Sequence, residues 1–351
     1  MNSALIAQWH VMRILVLGGT RFVGRAVVDR AVSRGHDVTT FNRGRHGEPR
    51  PGAEAWHGDR TRPQDLLALA ARDWDAIVDT SVLAPAHVAA AAALLAGHAG
   101  HYTYVSSLAV YSGLPREPVT EESPTWECPS DAPGDTESLG YGPLKSGSER
   151  AVAAAFPGRH LIVRPGLIAG PHDDVGRLPW WLGRLARGGR VLVPGDPGRP
   201  VRLTDARDLA GWMLDSIRRK ITGVVNVPGP RGCTFGELID ACLAAVRASP
   251  GRPAELVWTP DDVLLAAGVR PCTELPMWAP DVPGHAGTGE ASGERARLAG
   301  MRYRPLADTV HDTWGWLVHD AAARARPPGE PAPQAGIGLD PVREQRILAG
   351  L

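Results

Sequence analysis

The chain of 351 residues carries 38 lysines and arginines against 38 acidic residues, so its formal net charge is zero. Hydrophobic residues make up 43% of the chain and charged residues 22%, which is ordinary for a globular α/β protein long enough to bury its own core. A balanced charge without a dense basic run disfavours nucleic acid and membrane surfaces as partners.

The four cysteines, Cys128, Cys233, Cys242 and Cys272, lack C-x-x-C spacing. They indicate free thiols in a reducing compartment and disfavour a disulfide framework or a metal site. No apolar run reaches the ~18 residues of a membrane span. Residues 1–12 lack the basic region of a signal peptide and are interpreted as an N-terminal extension. We therefore expect a cytoplasmic protein without a bound metal.

The first half of the chain alternates short apolar runs with helical patterns. The predicted strands cover residues 13–18, 37–41, 54–58, 76–80, 101–107 and 161–165, and the predicted helices cover residues 23–34, 64–72, 84–97 and 141–156. Strands separated by crossover helices predict an α/β fold with a doubly wound parallel (Rossmann) sheet.

The second half is less regular and predicts a smaller C-terminal substrate-binding lobe. Its predicted helices cover residues 179–189, 205–217, 235–248 and 305–322, and its predicted strands cover residues 190–195 and 223–229. We expect a dinucleotide-binding domain over residues 13–171, to which residues 203–229 return. The lobe then comprises residues 172–202 and 230–325, followed by a linker and a C-terminal helix over residues 326–351. Residues 114–138 are interpreted as an insertion.

The stretch "LGGTRFVG" (17–24) predicts a phosphate-binding turn. A strand, a glycine turn and a helix from about Phe22 bring backbone N–H groups to the positive end of a helix, which suits a pyrophosphate. Gly18 supports the tight turn and Gly24 lets the helix pack on the sheet, whereas an ordinary βα turn is the alternative. The expected cofactor contacts in this turn are Gly18, Gly19, Thr20, Arg21, Phe22, Val23 and Gly24.

The end of the second strand bears on the choice of cofactor. An NAD site usually offers an acidic residue there for the ribose 2′-hydroxyl, but this chain has Asn42 and Arg43. Arg43 complements a 2′-phosphate, and Arg21 adds a second positive group. NADP(H) is therefore favoured and NAD(H) stays open, as does the alternative that both arginines are solvated surface charges.

A second motif, "YGPLK", has Tyr141 and Lys145 on one face of a predicted helix. A phenol with a pKa of about 10 is a poor base at neutral pH, but a nearby ammonium and a positive nicotinamide ring stabilise its phenolate. Ser106 and Ser107 end a strand at the carboxyl edge, where open α/β sheets have their sites. A hydroxyl there can bind the substrate oxygen, although each signal alone also fits an ordinary surface.

In this order, the glycine turn, the strand-end serine and Y-x-x-x-K make the sequence resemble the extended short-chain dehydrogenase/reductase superfamily. The resemblance is to its NAD-dependent epimerase/dehydratase-like branch and covers most of residues 12–325. It implies that Ser107 is the catalytic serine, Tyr141 the acid/base, and Lys145 the partner of Tyr141 and a ribose ligand. The further cofactor contacts it implies are Asp59 and Arg60, Thr80 and Ser81, and Pro165 and Leu167.

Three departures from that family pattern narrow the expected function. Leu108 and Ala109 occupy the positions where sugar-nucleotide 4,6-dehydratases carry an Asp-Glu pair, which argues against water elimination. Leu167 stands where sugar-nucleotide epimerases often have an asparagine. The segment 199–210 lacks the family arginine in register, although Arg202 is close, so a diphosphate-bearing substrate is disfavoured without being excluded.

The remaining substrate candidates each have a structural alternative. His172 and Asp173 offer a second acid/base or cap the following helix. Of Trp180 and Trp181, one is expected in the core and the other in the pocket wall. Glu117, Glu121 and Glu122 of the insertion meet a polar substrate or form a solvated acidic loop, the latter being favoured. The residues assigned to substrate binding are Ser107, Leu108, Ala109, His172, Asp173, Trp181 and Arg202.

These residues favour an NADP(H)-dependent oxidoreductase that interconverts an alcohol and a ketone on a small metabolite of sugar, nucleoside or secondary-metabolite type. A redox-neutral epimerase with tightly bound cofactor is the first alternative, since the same three catalytic residues serve both reactions. A non-catalytic cofactor-binding regulator is the second. The expected partner is a small-molecule substrate, and a homodimer is left open.

Overall fold

The structure is a computed structural model that describes residues 11–45, 50–112, 119–247, 252–280, 290–324 and 336–351. For residues 320–324 it describes the helical backbone and not the side chains. Two compact units are present. The first comprises the described residues up to Ser106 together with 125–163 and 210–224. The second comprises 107–124, 164–209 and the described residues from 225 onward. Of the residues expected in the dinucleotide-binding domain, 164–171, 203–209, 225–229 and the described part of 107–124 fall in the second unit.

Eleven strands occur in the described residues. They are β1 (Arg13–Leu17), β2 (Asp37–Asn42), β3 (Glu54–His57), β4 (Ala76–Asp79), β5 (Tyr102–Val105), β6 (His160–Pro165), β7 (Leu167–Ala169), β8 (Gly189–Pro194), β9 (Leu203–Asp205), β10 (Gly223–Val227) and β11 (Ala254–Thr259). The strands β7, β9 and β11 were not expected, and two of them, β7 and β9, are only three residues long.

Twelve α-helices connect and flank these strands. They are α1 (Phe22–Ser33), α2 (Pro63–Leu67), α3 (Pro85–Leu95), α4 (Thr136–Leu139), α5 (Tyr141–Ala155), α6 (Arg177–Ala186), α7 (Ala206–Arg218), α8 (Phe235–Val246), α9 (Asp261–Ala266), α10 (Glu294–Leu298), α11 (Leu306–Arg324) and α12 (Pro341–Ala349). None of these described helices has both the length and the apolar character needed to cross a bilayer.

The central sheet has seven strands in the order β10-β6-β5-β4-β1-β2-β3. Its strands pair in parallel, for example Leu15 with Thr39 of β2 on one side and with Ile77 of β4 on the other. The order reverses direction at β1 and β4, and open parallel sheets bind ligands at the carboxyl edge beside such a point. The doubly wound α/β fold predicted from the sequence is confirmed.

The core of the first unit explains why β1 is an uninterrupted apolar run. Residues 14–17 are fully buried, as expected for a parallel strand covered on both faces. The alanine-rich helix α3 packs against α5, and small side chains such as Ala91 and Ala151 let the two helices approach closely. Tyr102 and Phe156 stack with ring centres 5.0 Å apart. This packing fixes α5, the helix that carries Tyr141 and Lys145.

The core of the second unit corrects one expectation about the tryptophans. Trp180 and Trp181 are both buried, at 3% and 0% exposure, and their rings meet edge to face. The indole N–H of Trp181 donates to the carbonyl of Pro276 at 2.8 Å. Trp181 is therefore a core residue, and its assignment to a substrate pocket was wrong. The apolar side chains of α6 before and after this tryptophan pair also pack in the core of the second unit.

The C-terminal helix α12 is part of the second unit. Leu339 and Leu348 are buried in its core, and Glu344 binds the buried guanidinium of Arg184 at 2.7 Å. A buried ion pair of this kind is stable because either charge alone would be costly in the interior.

Several predicted loops extend outside the described residues, namely 1–10 of the extension, 113–118 of the insertion with Glu117, 281–289, and 325–335 of the linker.

Candidate active site

The glycine turn between β1 and α1 depends on glycine for its backbone shape. Gly18 and Gly19 have φ values of +116° and +93°, which other residues rarely adopt. The Gly18 N–H donates to the carbonyl of Phe41 at 2.9 Å and so holds the turn beside the end of β2. The turn has the shape that the sequence predicts for a phosphate-binding loop.

The start of α1 presents backbone donors. Arg21 precedes the helix in an extended conformation, and among the described residues no side chain caps this end. The first helical turn also contains no acidic residue. Because the first N–H groups of a helix lack intrahelical partners and lie at the positive end of its dipole, they favour an anion. The turn, which includes Thr20 and Val23, therefore fits the pyrophosphate of a dinucleotide.

Gly24 keeps α1 close to the glycine turn. A Cβ atom at this position would lie 2.8 Å from the backbone nitrogen of Gly19 and 3.0 Å from Oγ1 of Thr80. Thr80 itself follows β4 and hydrogen-bonds the Leu17 carbonyl through its hydroxyl at 3.3 Å. Even one methyl group at Gly24 would push the helix away from the turn.

Asn42 braces the glycine turn. Its amide Nδ2 donates to the carbonyl of Gly18 at 3.0 Å, and its Oδ1 accepts the N–H of Gly44 at 2.9 Å. The side chain thus joins the end of β2 to the turn. Its role in the structure is to hold the loop, which is a more specific task than the general cofactor contact expected from the sequence.

A positive and a negative group flank the end of β2. Arg43 is exposed and lies near Asp59, whose carboxylate accepts the N–H and the hydroxyl of Thr61 at 3.0 and 2.8 Å. These hydrogen bonds, with a smaller contribution from Arg43, lower the pKa of Asp59. Arg21 is exposed on the neighbouring turn. The expected adenosine end of the cofactor thus has an ionised carboxylate and arginines beside it.

Arg60, which was expected to contact the cofactor, forms a buried ion pair with Asp79. Its guanidinium is buried and donates two hydrogen bonds to Asp79, at 2.8 and 2.9 Å, and one to the Ser81 hydroxyl at 2.7 Å. Tyr102 donates to the same carboxylate at 2.7 Å. Burial alone would raise the pKa of Asp79, but the arginine outweighs it and the pKa is lowered. The Arg60 side chain is engaged with Asp79 and Ser81, and its expected contact with the cofactor stays a prediction.

Lys145 is held by two strand ends. Its ammonium, 2% exposed, donates to the carbonyl of Ser81 at 2.8 Å and to that of Val105 at 2.7 Å. An ammonium has three donors, and within the described residues the third has no partner. Burial lowers the pKa of Lys145 to about 8, although Asp79 and Glu149 limit the fall. At neutral pH Lys145 is therefore mainly an ammonium with one donor to offer.

Tyr141 is the first residue of α5 and lies one helical turn before Lys145. Its side chain is 41% exposed, while the Lys145 Nζ lies 6.0 Å from its ring centre and 4.7 Å from that of Tyr104. Burial raises the pKa of Tyr104 well above its ordinary value, so Tyr104 stays neutral. Of the two tyrosines near the ammonium, Tyr141 is the accessible one.

The two serines after β5 differ in their hydrogen bonds. Ser106 is buried and donates its hydroxyl to Oε1 of Glu149 at 2.5 Å. Ser107, the next residue along the chain, is half-buried, and its Oγ accepts the N–H of Ala109 at 3.1 Å. The Ser106 hydrogen is already used, whereas the contact of Ser107 uses its oxygen as an acceptor. Ser107 is the serine whose hydrogen a substrate oxygen can receive.

Glu149 was missed by the sequence reasoning. It lies on α5 one turn beyond Lys145 and two turns beyond Tyr141, on the face of the helix that carries both. The composition also draws attention to Lys145, because the chain has two lysines, Lys145 and Lys220, among its 38 lysines and arginines. A chain that otherwise uses arginine has kept a lysine where a group with an adjustable pKa is needed.

In the second unit, Asp173 lies in the turn that precedes α6. It is buried, and its Oδ1 accepts the N–H groups of Val175 and Gly176 at 3.0 and 3.1 Å. Burial raises the pKa of Asp173 to about 6. The neighbouring His172 has a φ of +67° and stacks on Trp316 with ring centres 5.1 Å apart. These contacts close the turn before α6, whose N-cap residue is Gly176, so Asp173 holds that turn and does not cap the helix.

The other substrate candidates of the second unit are mainly packed or paired. Leu108 is buried. Pro165 and Leu167, which were expected to contact the cofactor, lie at the end of β6 and the start of β7. Arg202 is 9% exposed and donates to the carbonyls of Gly229 and Ala291 at 2.7 and 2.6 Å. Its guanidinium braces the unit, and the substrate contact expected of it stays a prediction.

The acidic loop of the insertion is likewise anchored. Glu121 is buried, accepts the backbone N–H of Asn226 at 2.9 Å and lies 3.7 Å from Arg295. Glu122 also pairs with Arg295. The expectation of a freely solvated acidic loop is therefore corrected for these two residues, which bind their own unit.

Residues 14–227 match the NAD dependent epimerase/dehydratase family. The chain belongs to the NAD-dependent epimerase/dehydratase family. It is an enzyme of the extended short-chain dehydrogenase/reductase type, as its sequence resemblance implied, and a nicotinamide dinucleotide is the cofactor of this family.

Two curated proteins and one solved structure illustrate the similarity. The chain is 27% identical over 251 residues to chloroplast stem-loop binding protein of 41 kDa b of Arabidopsis thaliana, covering 66% of this chain and 63% of that protein. It is 32% identical over 211 residues to 2-alkyl-3-oxoalkanoate reductase of Stenotrophomonas maltophilia, covering 55% and 61%. The chain thus spans less than two thirds of either relative.

The solved structure is the Bordetella bronchiseptica enzyme WbmG in complex with NAD and UDP. It has a TM-score of 0.64 at 19% identity and covers 89% of this chain and 96% of that one. At this identity the likeness supports the fold alone.

The Gly24→Ala variant tests whether the cradle formed by the glycine turn and the start of α1 binds a dinucleotide. Because its Cβ would meet the backbone of Gly19, we expect the dissociation constant for a nicotinamide dinucleotide to rise at least about tenfold, or about 1.4 kcal/mol. Calorimetric titration of the folded variant measures the change. Gly97→Ala is the matched control, since its Cβ would enter open space. Equal affinity in Gly24→Ala and the control would contradict the proposed cradle.

Proposed function

We propose that the protein is an NADP(H)-dependent oxidoreductase that interconverts an alcohol and a ketone on a small metabolite. The observation that carries this proposal is Lys145. It is buried, has a pKa lowered to about 8, and lies one turn from the accessible Tyr141 on the same helix. An ammonium in that position stabilises a phenolate, which lets a tyrosine transfer a proton near neutral pH.

The residues that would hold the cofactor lie along the carboxyl edge of β1, β2 and β4. The first turn of α1 would bind the pyrophosphate, Asp59 the adenine, and Lys145 the nicotinamide ribose through its third donor. Arg43 and Arg21 would bind a 2′-phosphate. When bound, the dinucleotide supplies the hydride acceptor or donor at its nicotinamide ring.

Side chains of the protein would then orient the substrate oxygen and transfer its proton. In reduction, the Tyr141 hydroxyl donates its proton to the oxygen of the ketone as the carbon is reduced, and the resulting phenolate regains a proton from solvent. In oxidation, the phenolate accepts the proton of the alcohol. Ser107 donates a hydrogen bond that orients the same oxygen, and Lys145 stabilises the phenolate in both directions.

The preference for NADP(H) rests on charge at the end of β2. Neither Asn42 nor Arg43 offers a carboxylate for a ribose 2′-hydroxyl, and the Asn42 amide is engaged with the glycine turn. An arginine fork suits a phosphate. The relative from Stenotrophomonas maltophilia is named as a reductase, which agrees with net reduction of a ketone.

A redox-neutral epimerase is the second candidate. The description of the matched family favours it. It would oxidise and re-reduce its substrate on a retained cofactor, so the reaction would consume no cofactor overall.

The Arabidopsis relative is named for stem-loop binding, but Tyr141 and Lys145 are both present here and the net charge is zero. We therefore propose a small-molecule substrate and a cytoplasmic location for the chain.

Arg43→Ser tests the choice of cofactor. We expect the KM for NADPH to rise at least about tenfold, since a charge-assisted contact is worth ~1.5–3 kcal/mol, while the KM for NADH changes less than about twofold. Arg21→Ser should act in the same direction with a smaller effect. Arg13→Ser is the control, because Arg13 is exposed at the amino end of β1, opposite the proposed site. Parallel changes for both cofactors would refute a 2′-phosphate contact.

Tyr141→Phe tests the reaction. Oxidation of NADPH in the presence of a 2-alkyl-3-oxoalkanoate or a simple ketone should fall about a thousandfold, because the proton donor is lost, while dinucleotide affinity stays within about twofold. Tyr303→Phe should retain activity.

Wild-type protein that interconverts UDP-glucose and UDP-galactose with no added cofactor and no net NADPH consumption would establish the epimerase instead. Full activity of Tyr141→Phe would overturn both enzymatic assignments.

A further inference from the structure

Ser107 stands at the start of a short turn that follows β5. A single 3₁₀ turn covers residues 108–110, and the Ser107 Oγ accepts the N–H of Ala109 at 3.1 Å. The Tyr111 N–H closes the turn by donating to the carbonyl of Leu108 at 3.2 Å. The position of the Ser107 hydroxyl therefore depends on what holds this turn in place.

Tyr111 fixes the other end of the turn through its hydroxyl group. The side chain is buried at 1% exposure, and its oxygen lies 2.8 Å from Nη1 of Arg164 and 2.8 Å from Oδ1 of Asn226. Because a guanidinium can only donate, the Tyr111 oxygen accepts from Arg164. The single hydrogen of the hydroxyl then goes to Asn226, so the direction of both hydrogen bonds is fixed.

The two partners of Tyr111 come from strands. Arg164 lies in β6 with its guanidinium carbon 4.9 Å from the centre of the Tyr111 ring, and Asn226 lies in β10. Both are buried, at 5% and 0% exposure. Glu121 of the insertion accepts the backbone N–H of Asn226 at 2.9 Å and so adds to its anchoring. Tyr111 thus joins the serine turn to the ends of β6 and β10 that belong to the second unit.

An asparagine at position 226 carries a cost that packing alone does not explain. Its Nδ2 is buried and has no hydrogen-bond partner among the described residues. An unpaired buried amide destabilises the folded state, so an apolar side chain would suit a purely structural position better. The Oδ1 of Asn226, in contrast, accepts the Tyr111 hydroxyl. This contact accounts for a polar residue here.

Tyr111 is unsuited to act as a second acid or base. Burial raises the pKa of Tyr111, and the hydrogen bonds from Arg164 and to Asn226 offset only part of that rise. The phenol therefore stays neutral at physiological pH, and its hydrogen is committed to Asn226. What Tyr111 can supply is a fixed position for the turn.

We propose that Tyr111 is a positioning residue that holds the turn, and with it the Ser107 hydroxyl, through its hydrogen bonds to Arg164 and Asn226. Its importance for catalysis rests on the proposed function, in which Ser107 orients the substrate oxygen. The anchoring of the turn is a property of the folded protein and can be measured without a substrate.

Hydrogen exchange followed by NMR measures the anchoring. In full-length Tyr111→Phe, which removes the hydroxyl and keeps the ring, exchange of the Ala109 amide bound to Ser107 should accelerate at least about tenfold. Exchange of the β1 amides should stay within about twofold, which excludes a general loss of stability. Tyr303→Phe is the matched control, because it removes a phenol hydroxyl that bonds the backbone of Gly229 in the same unit. It should leave Ala109 exchange within about twofold of wild type.

A double-mutant cycle tests whether Tyr111 acts through Ser107. With NADPH and a ketone that the wild type reduces, Tyr111→Phe should lower kcat about tenfold and change the KM for NADPH less than about twofold. In a Ser107→Ala background the same substitution should lower kcat less than about twofold further, because the hydroxyl that it positions is gone. A merely structural role would lower kcat by the same factor in both backgrounds.

Two results would overturn the proposal. One is unchanged Ala109 exchange in folded Tyr111→Phe, and the other is an equal fall of kcat in both backgrounds. If Tyr111→Phe does not fold, Asn226→Ala serves for the same two measurements, because it removes the acceptor of the Tyr111 hydroxyl together with the unpaired amide. Absence of NADPH oxidation in the wild type would refute the proposed function and leave hydrogen exchange as the test of the anchoring.

Discussion

The structure of the site depends on how the Lys145 ammonium is bound. Its hydrogen bonds to the Ser81 and Val105 carbonyls connect α5 to the ends of β4 and β5. Because these strands flank each other in the sheet, one side chain fixes the helix relative to the carboxyl edge. Tyr141, one turn earlier on α5, is positioned by the same contact. The glycine turn at the end of β1 is the neighbouring feature along that edge.

Buried charge is the constraint that this arrangement must satisfy. An ammonium away from water loses hydration, and this burial lowers the pKa of Lys145 to about 8. The Arg60–Asp79 pair contributes indirectly, because Arg60 also binds the Ser81 hydroxyl and so orders the residue whose carbonyl holds Lys145. Glu149 and Ser106 complete the set from α5 and β5.

The sequence was sufficient for the fold and for the order of the motifs, and insufficient for the contacts of individual side chains. The apolar run of β1 and the Gly18–Gly24 turn predict a parallel strand and its βα loop from local patterns alone. Arg60, Trp181 and Arg202 were assigned to ligands because they lie near motifs along the chain. Their partners, Asp79, Pro276 and Gly229, come from other strands and loops. The contact of Glu149 with Ser106 could not be read from the sequence for the same reason, since it is a tertiary contact.

The pH dependence of NADPH oxidation tests the central claim most directly, which is that a buried ammonium at Lys145 enables Tyr141 to transfer the proton. With a ketone that the wild type reduces, kcat/KM should decline above a pH of about 8, following loss of the Lys145 proton. In Lys145→Arg, whose charge persists to a far higher pH, the alkaline decline should disappear from whatever activity remains, whereas Lys220→Arg should retain it. An identical decline near pH 8 in Lys145→Arg would contradict the account.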